Sequence, residues 1–589
     1  MSRIITHKKS MSVLLFFMIT MGGISGGIRL VKGPIKPVSI PIGDYSFTTK
    51  VVDFKINQII RRYDVPGAAV SLLDEQEIIM EKYYGWANED AKISFSNTTV
   101  LKIGSITKLF TAIEIMHLVE DGLIDLDHPL TDYLPEFYIK SHFNSTPITI
   151  RHILSHRAGL PRNDNLELWH WDNGTDCLKD QMKSLAESTL SYPAGTRYKY
   201  SNIGYDLLAH VIESLRNQSF VYYMEENFFH KWNMRGTHYF SSDFIDPSLI
   251  SVGYYQNGHE TVPYHDMDIN SLGSGAMLSQ MGDLQKFFQI LVKDAGSEEE
   301  RILSFDTINA MYDLQYCSDR DPQETGLGFQ INTHKLAKKV VFHTGVNLGR
   351  HSCFAYIPET KQGVILFGNH DNFEEPAKNL IFEILELMLE TKTGISPQKI
   401  VSKDEIYISQ AELEQYVGTY IIDGQIATIK TSNRGLKINY LDQNMRMIPI
   451  NSTTFKLKHW FLGEMGYEVR FISGSSFSGE SDLIMILSLE KSHYIFCPRI
   501  YPLENFDLSG NYTLFHRVCS LYTESKEFGN TKIEKRDGFC FIPLLKAVLV
   551  PFSSKEVLII GGLWDGETIF IQDQGEHLEF QNMIFFRQK

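Results

Sequence analysis

Zinc-binding punctuation is missing from these 589 residues. No two of the six cysteines stand in C-x-x-C spacing and no H-E-x-x-H occurs, so neither a metal site nor any other cofactor is called for. Positive charge is in deficit as well: 56 Lys and Arg against 71 Asp and Glu leave a net charge of −15, which sets nucleic acid aside as a partner. Long apolar runs are scarce. One uncharged run, Met11 to Ile28, follows Arg3, Lys8 and Lys9 and closes on Gly22-Gly23-Ile24-Ser25-Gly26-Gly27. Residues 1–27 therefore read as a signal peptide or, uncleaved, as a signal anchor holding the protein to a membrane through 11–28; either way the body faces the exported side. Even in an oxidising compartment the cysteines pair awkwardly. Cys177, Cys317 and Cys353 precede the boundary proposed below and Cys497, Cys519 and Cys540 follow it, so a cross-domain bridge or free thiols result.

What is present is a globular composition, 43% hydrophobic and 22% charged, on a chain too long for one core. Up to about residue 395 the periodicities mix α with β. Phe54 to Tyr63 reads as an amphipathic helix, Ala68 to Leu73 and Ile78 to Tyr84 as two strands, and Ile106 to Asp121 as a helix apolar nearly all round, closed by Gly122. A further helix starts at Ile203 and another covers Gly282 to Val292. Strands Val340 to Phe342, Cys353 to Ile357 and Val364 to Phe367 precede a closing helix, Pro376 to Glu390. Beyond a polar linker, 391–403, short alternating strands take over. Tyr416-Val417-Gly418-Thr419-Tyr420 is echoed by Leu508-Ser509-Gly510-Asn511-Tyr512, and Met447-Ile448-Pro449-Ile450 by Leu549-Val550-Pro551-Phe552. Two copies of an all-β unit of about ninety residues, barrels or half-barrels, are expected over 405–500 and 501–589.

Three short motifs carry chemistry. Ser105-Ile106-Thr107-Lys108 places a hydroxyl and an amine three residues apart, on one helical face at the mouth of the apolar helix. Tyr200-Ser201-Asn202 sits on a turn clamped to the next helix. His343-Thr344-Gly345 lies where a strand gives way to glycine, so backbone N–H groups there can face a ligand. Each is weak alone. Ser488-Leu489-Glu490-Lys491 and Tyr255-Gln256-Asn257 repeat two of the spacings in this same chain, and on spacing alone Ser105 is a helix cap and Lys108 a surface lysine.

Together, in this order and approximate spacing, with Ser155-His156-Arg157-Ala158-Gly159-Leu160-Pro161 and Pro193-Ala194-Gly195 between, the motifs resemble those of serine β-lactamases and penicillin-binding proteins. The H-T-G form is most similar to the class C-related branch with its D-aminopeptidases and esterases. The resemblance spans about 43–395 and implies an α+β fold, a β-lactamase/transpeptidase-like domain with an antiparallel sheet flanked by helices. It implies Ser105 as nucleophile, with Lys108 or Tyr200 as the base, and an oxyanion hole of the Ser105 and Val346 N–H groups. Asn202 would hold the substrate amide or the lysine, and His343, Thr344, Gly345 and Val346 would line the substrate. For Lys108 to accept a proton near neutrality its pKa must fall by about three units, about 4 kcal/mol, which burial can supply. Relatives usually begin the third motif with lysine. His343 in its place weakens the attraction for a substrate carboxylate, and Val346 in place of a second glycine is expected to narrow the cleft. The expectation is an exported serine hydrolase acting on a small ester or peptide amide. A β-lactamase or D-alanyl-D-alanine carboxypeptidase, or a silent scaffolding protein, are the alternatives.

Overall fold

The computed structural model describes residues 33–589 except 142, 144–145, 164–176, 294–300, 317–322, 396–407, 423–424, 433–434, 441–442, 460–462, 476–480, 490–492, 501–509, 517–529, 537–538, 543–546, 554–555, 561–567, 573–576, 581–582 and 588–589. The run Met11 to Ile28 lies outside them. Among the described residues no helix is long and apolar enough to cross a membrane. Met1–Ser39 forms one unit and Ile40–Lys589 a second, to which everything below belongs.

Seven antiparallel strands make the first sheet: β1 Gly67–Asp74, β2 Glu77–Asn88, β3 Ile93–Ser94, β4 Gln330–Asn332, β5 Val340–Asn347, β6 Arg350–Ile357 and β7 Gln362–Gly368, in the order β3-β2-β1-β7-β6-β5-β4. β1 and β7 pair centrally, Ala69 opposite Phe367 and Leu73 opposite Gly363. Both faces of β1 are covered, which is why its sequence is apolar without alternation. Ala68, Val70 and Leu72 meet one core and Ala69 and Leu73 the other. The edges differ. β3 covers only the end of β2, opposite Trp86 and Asn88, and β4 pairs with β5 no further than Phe342.

On one face lie α1 Ser46–Tyr63 and α5 Glu374–Thr393, burying Val52 and Ile56, and Leu380, Ile381, Ile384 and Leu385. On the other lie α2 Thr107–Glu120, α3 Asn202–Arg216 and α4 Met281–Leu291. α2 hides eleven of its fourteen residues, as its unstriped apolar sequence requires, and Gly122 beyond it takes φ +70°. Each fully buried Leu, Ile or Phe there contributes about 1.5 to 3 kcal/mol.

Two expectations need correction. α1 begins at Ser46, not Phe54: the Asp44 carboxylate accepts the Ser46 N–H at 3.0 Å, and Thr48 hydrogen-bonds Thr391 across the helix pair, polar contacts that periodicity does not register. β5 does not stop at His343 but runs on to Asn347. Its glycine is a packing requirement rather than a strand end.

Beyond residue 409 come two closed eight-stranded antiparallel barrels, with strands from Gly418–Ile422 to His493–Ile500 and from Gly510–His516 to Met583–Arg587. The sequence echoes fall on equivalent elements, the first strand of each barrel and the fourth, Gln443–Pro449 and Ala547–Ser553. Tyr420, Ile429, Ile438, Met447, Phe455 and Phe471 fill the first barrel. Cys353 is buried on β6 and unbridged, and burial pushes its thiol up to about 12. The side chains of the other five cysteines lie outside the described residues.

Candidate active site

Ser105 stands on a 3₁₀ turn, Gly104–Ile106, wedged between a two-stranded ribbon and α2. Val100–Lys102 pairs with Leu278–Gln280, and the Ile103 N–H continues the ladder to the Met277 carbonyl at 2.9 Å. Thr107 locks the turn: its hydroxyl donates to the Gly104 carbonyl at 2.7 Å and accepts the Met277 N–H at 3.2 Å. The turn meets β5 backbone to backbone. Gly104 has φ +51°, and a Cβ on it would lie 2.6 Å from Val346 N; a Cβ on Gly345 would lie 1.9 Å from the Ile103 carbonyl oxygen. The two N–H groups proposed for an oxyanion hole thus belong to segments packed as closely as two chains allow.

Gly345→Val is therefore expected to push β5 off the Ser105 turn. The outcome is at least a hundredfold loss in kcat/KM, about the effect of losing one oxyanion donor, with a lowered Tm; undiminished turnover by a folded Gly345→Val protein would refute the close packing.

Lys108, the second residue of α2, is fully buried. Its Nζ lies 3.3 Å from Ser105 Oγ and donates at 2.7 Å to both Asn202 Oδ1 and the Ser274 carbonyl. Burial lowers its pKa, while the Tyr200 hydroxyl and the Asp206 carboxylate act in the opposite sense.

Tyr200 and Asn202 flank Ser201, the N-cap of α3, whose hydroxyl accepts the Gly204 N–H at 3.1 Å and donates to the Pro161 carbonyl at 2.6 Å. His156, held at φ +56°, accepts the Ser201 N–H on Nδ1 at 3.2 Å and packs against Tyr200 with the rings tilted by 32° and their centroids 4.3 Å apart. Burial and the Lys108 charge keep it neutral. Lys108 Nζ lies 4.8 Å from the centre of the Tyr200 ring, and the Arg162 guanidinium 5.1 Å from it. Asn163 Oδ1 accepts from Asn202 Nδ2 at 2.7 Å, which fixes the amide so that its oxygen faces the lysine.

His343 and Gly345 lie on the face of β5 toward Ser105 and Tyr200; the His343 and Tyr200 ring centroids are 6.3 Å apart. His343 Nδ1–H donates to the Thr344 carbonyl at 2.8 Å, leaving the lone pair on a buried Nε2. Burial first, then the Lys108 charge, pushes its pKa down to about 3, so the ring is neutral throughout the working range. Thr344 and Val346 alternate onto the other face. Val346 is 46% exposed, and it is its backbone, not its side chain, that meets the Ser105 turn, so the expected narrowing of the cleft is not seen. Among the described residues, no strand of the sheet pairs with the outer edge of β5 past Phe342.

Six of the eight residues singled out from the sequence, Ser105, Lys108, Tyr200, Asn202, His343 and Gly345, thus come together, the side chains of Thr344 and Val346 turn to the other face of β5, and the decoys lie elsewhere. Tyr255 and Asn257 lie in a small hairpin, Tyr254–Asn257 with Glu260–Pro263, and Ser488 lies in a barrel strand with Lys491 outside the described residues. Sequence reasoning assigned no role to Asn163, Thr107, Asp206 or Ser274. Asn163 lies two residues past the end of the S-H-R-A-G-L-P stretch, and Ser274 stands between two glycines. A carbonyl acceptor leaves no side-chain signature. Among the described residues one group, Glu225, His238 and Asp243, brings three metal-type donors together, and none of them belongs to the Ser105 cluster.

The profile of the family described as Beta-lactamase matches residues 52–388, more than half of the chain. Protein flp of Staphylococcus aureus strain MW2 is 23% identical over 326 residues, 54% of this chain and 62% of that protein, so the match spans about three fifths of that relative's length. Penicillin-binding protein 4* of Bacillus subtilis strain 168 is 24% identical over 419 residues, covering 68% of this chain and 88% of that one. The octameric penicillin-binding protein homologue from Pyrococcus abyssi shares the fold, with a TM-score of 0.51 at 22% identity over 76% of this chain and 99% of that chain. With a buried lysine against a serine, an amide beside them and a backbone cradle opposite, and with that match across 52–388, the chain belongs to the Beta-lactamase family of serine hydrolases.

Proposed function

We propose that the protein is an exported hydrolase that forms an acyl-enzyme at Ser105 and cleaves esters or small peptide amides, in the manner of esterases and D-aminopeptidases. The observation that carries this reading is the surroundings of Lys108 Nζ. Two oxygens at 2.7 Å, Asn202 Oδ1 and the Ser274 carbonyl, take both N–H groups of a neutral amine and leave its lone pair facing Ser105 Oγ. Burial favours that neutral form. Lys108 then accepts the hydroxyl proton as Oγ bonds to the substrate carbonyl carbon. The oxyanion is held by the Ser105 and Val346 N–H groups, and the proton passes by way of Tyr200 to the departing alcohol or amine. Water repeats the sequence on the acyl-serine and releases the acid. Asn202, oriented by Asn163, holds the lysine.

The neutral ring of His343 supports the choice of substrate. A lysine there would offer a carboxylate about 4 kcal/mol at 4 Å and an effective dielectric near 20; the imidazole offers no charge. A β-lactamase or D-alanyl-D-alanine carboxypeptidase is the second reading, favoured by the likeness to a protein named penicillin-binding protein 4*. Placement on the exported side rests on the run 11–28. The test is intact-mass analysis with a fluorophosphonate and with benzylpenicillin, beside turnover of a short-chain nitrophenyl ester. One fluorophosphonate adduct and ester turnover are expected, with penicillin labelling at least about tenfold slower. His343→Lys should raise the penicillin rate about tenfold or more. A wild type that acylates faster with penicillin than with the ester moves the assignment to the second reading.

A further inference from the structure

Behind Lys108 a carboxylate is enclosed that plays no part in the acyl transfer just described. Asp206 lies in the second turn of α3 and is fully buried. Its Oδ1 accepts the Gly273 N–H at 3.0 Å and its Oδ2 the Ser274 hydroxyl at 3.1 Å. The same two residues reach α2 with their other groups. The Gly273 carbonyl accepts from Thr111 Oγ1 at 2.7 Å, and the Ser274 carbonyl accepts from Lys108 Nζ at 2.7 Å. Position 273 admits no side chain, since a Cβ would fall 2.2 Å from the Tyr205 carbonyl oxygen. The earlier part of the connection between Pro263 and Leu278 is tied down as well: Asp266 and Asp268 pair with the buried Lys102 Nζ at 2.9 and 3.1 Å, and Asp266 with Arg350 at 3.1 Å. The segment is a strap fastened at both ends, with Asp206 as the fastening nearest the catalytic lysine.

We propose that Asp206 is a positioning residue of the Ser105 site: it aims the Ser274 carbonyl at Lys108 and, through its charge, sets how readily that lysine gives up its proton. The inference rests on reading Ser105 as nucleophile and Lys108 as base. Its electrostatic half has a definite sign. An anionic Asp206 holds the proton on Lys108, and removing that charge frees it. Burial pushes Asp206 up to about 7, against the pull of the Lys108 charge and of the Ser274 and Gly273 donors. The other titratable groups around the pair are Tyr200 ahead of α3, Tyr205 on it, Arg162, and the neutral imidazoles of His156 and His343.

The test is the rate of fluorophosphonate labelling at Ser105 from about pH 5 to about pH 9. For Asp206→Asn, which keeps the shape and loses the charge, the acid limb is expected to move down by about one pH unit. Ser274→Ala keeps the carbonyl but removes the hydroxyl donor that favours the anionic carboxyl; its limb should move in the same direction by less. A purely structural role would lower the rate at every pH and leave the limb where it is. Limbs unmoved in folded protein overturn the proposal, and if Asp206→Asn fails to fold, the Ser274→Ala limb decides. A wild type that takes no label at all instead refutes the reading of Ser105, a result distinct from an unmoved limb.

Discussion

Ser105→Ala is expected to lower kcat/KM for a nitrophenyl ester by about 10⁴-fold or more and to abolish the fluorophosphonate adduct, with no loss of Tm. The size follows from covalent catalysis: without Oγ no acyl-enzyme forms, and what remains is the help of binding and of the oxyanion donors. The unchanged stability follows from the turn. Thr107, not Ser105, ties the 3₁₀ turn to Gly104 and Met277, and among the described residues the serine hydroxyl makes only the long 3.3 Å contact to Lys108. An adduct of the same mass on the alanine variant would place the nucleophile elsewhere.

Lys108→Met should cost about 10³- to 10⁴-fold in kcat/KM, and the residue of activity should behave differently from that of Ser105→Ala. The methionine fills the space but leaves Asn202 Oδ1 and the Ser274 carbonyl without their donor, and leaves Asp206 without its neighbouring cation. The carboxyl then stays protonated to higher pH. In the wild type, activity rises as Lys108 loses its proton, below the usual lysine range because burial disfavours the charge. In the variant that limb disappears, and the remaining rate climbs with hydroxide concentration, because solvent must now take the proton. A pH–rate profile of ester hydrolysis decides the matter. A Lys108→Met protein that keeps the wild-type acid limb would assign the base to another group, with Tyr200 the nearest.

The site was legible where chemistry dictates residue type and illegible where it dictates only a backbone atom. A nucleophile and its base must be a hydroxyl and an amine one helical turn apart, and a buried helix behind them declares itself by apolar residues on every side; Ser105, Lys108 and α2 were readable for those reasons. Gly345 showed as a glycine, but its reason, the Ile103 carbonyl 1.9 Å from where a Cβ would be, belongs to a residue 242 positions away in the chain. The continuation of β5 past it was missed on that account. Ser274 acts through its carbonyl, which every residue has, and Asp206 sits among apolar neighbours in the stretch Ile203 to Ile212 of α3, every residue of which is buried. The barrels could be counted from the repeated strand beginnings, because a closed meander reuses the same turn and strand chemistry, but their closure is a pairing of first strand with last that no local pattern records.

β2 has one further consequence. Closed barrels offer no edge to a neighbouring molecule, whereas among the described residues most of the outer side of β2 has no strand paired to it, a place for a second chain to add one. Glu77, Glu81 and Lys82 stand exposed along it, and the β1–β2 register slips between Leu72 and Leu73. Charge and a local kink make that edge a poor template. Substitutions that neutralise these three surface side chains are expected to raise self-association in concentrated solution, which light scattering would register.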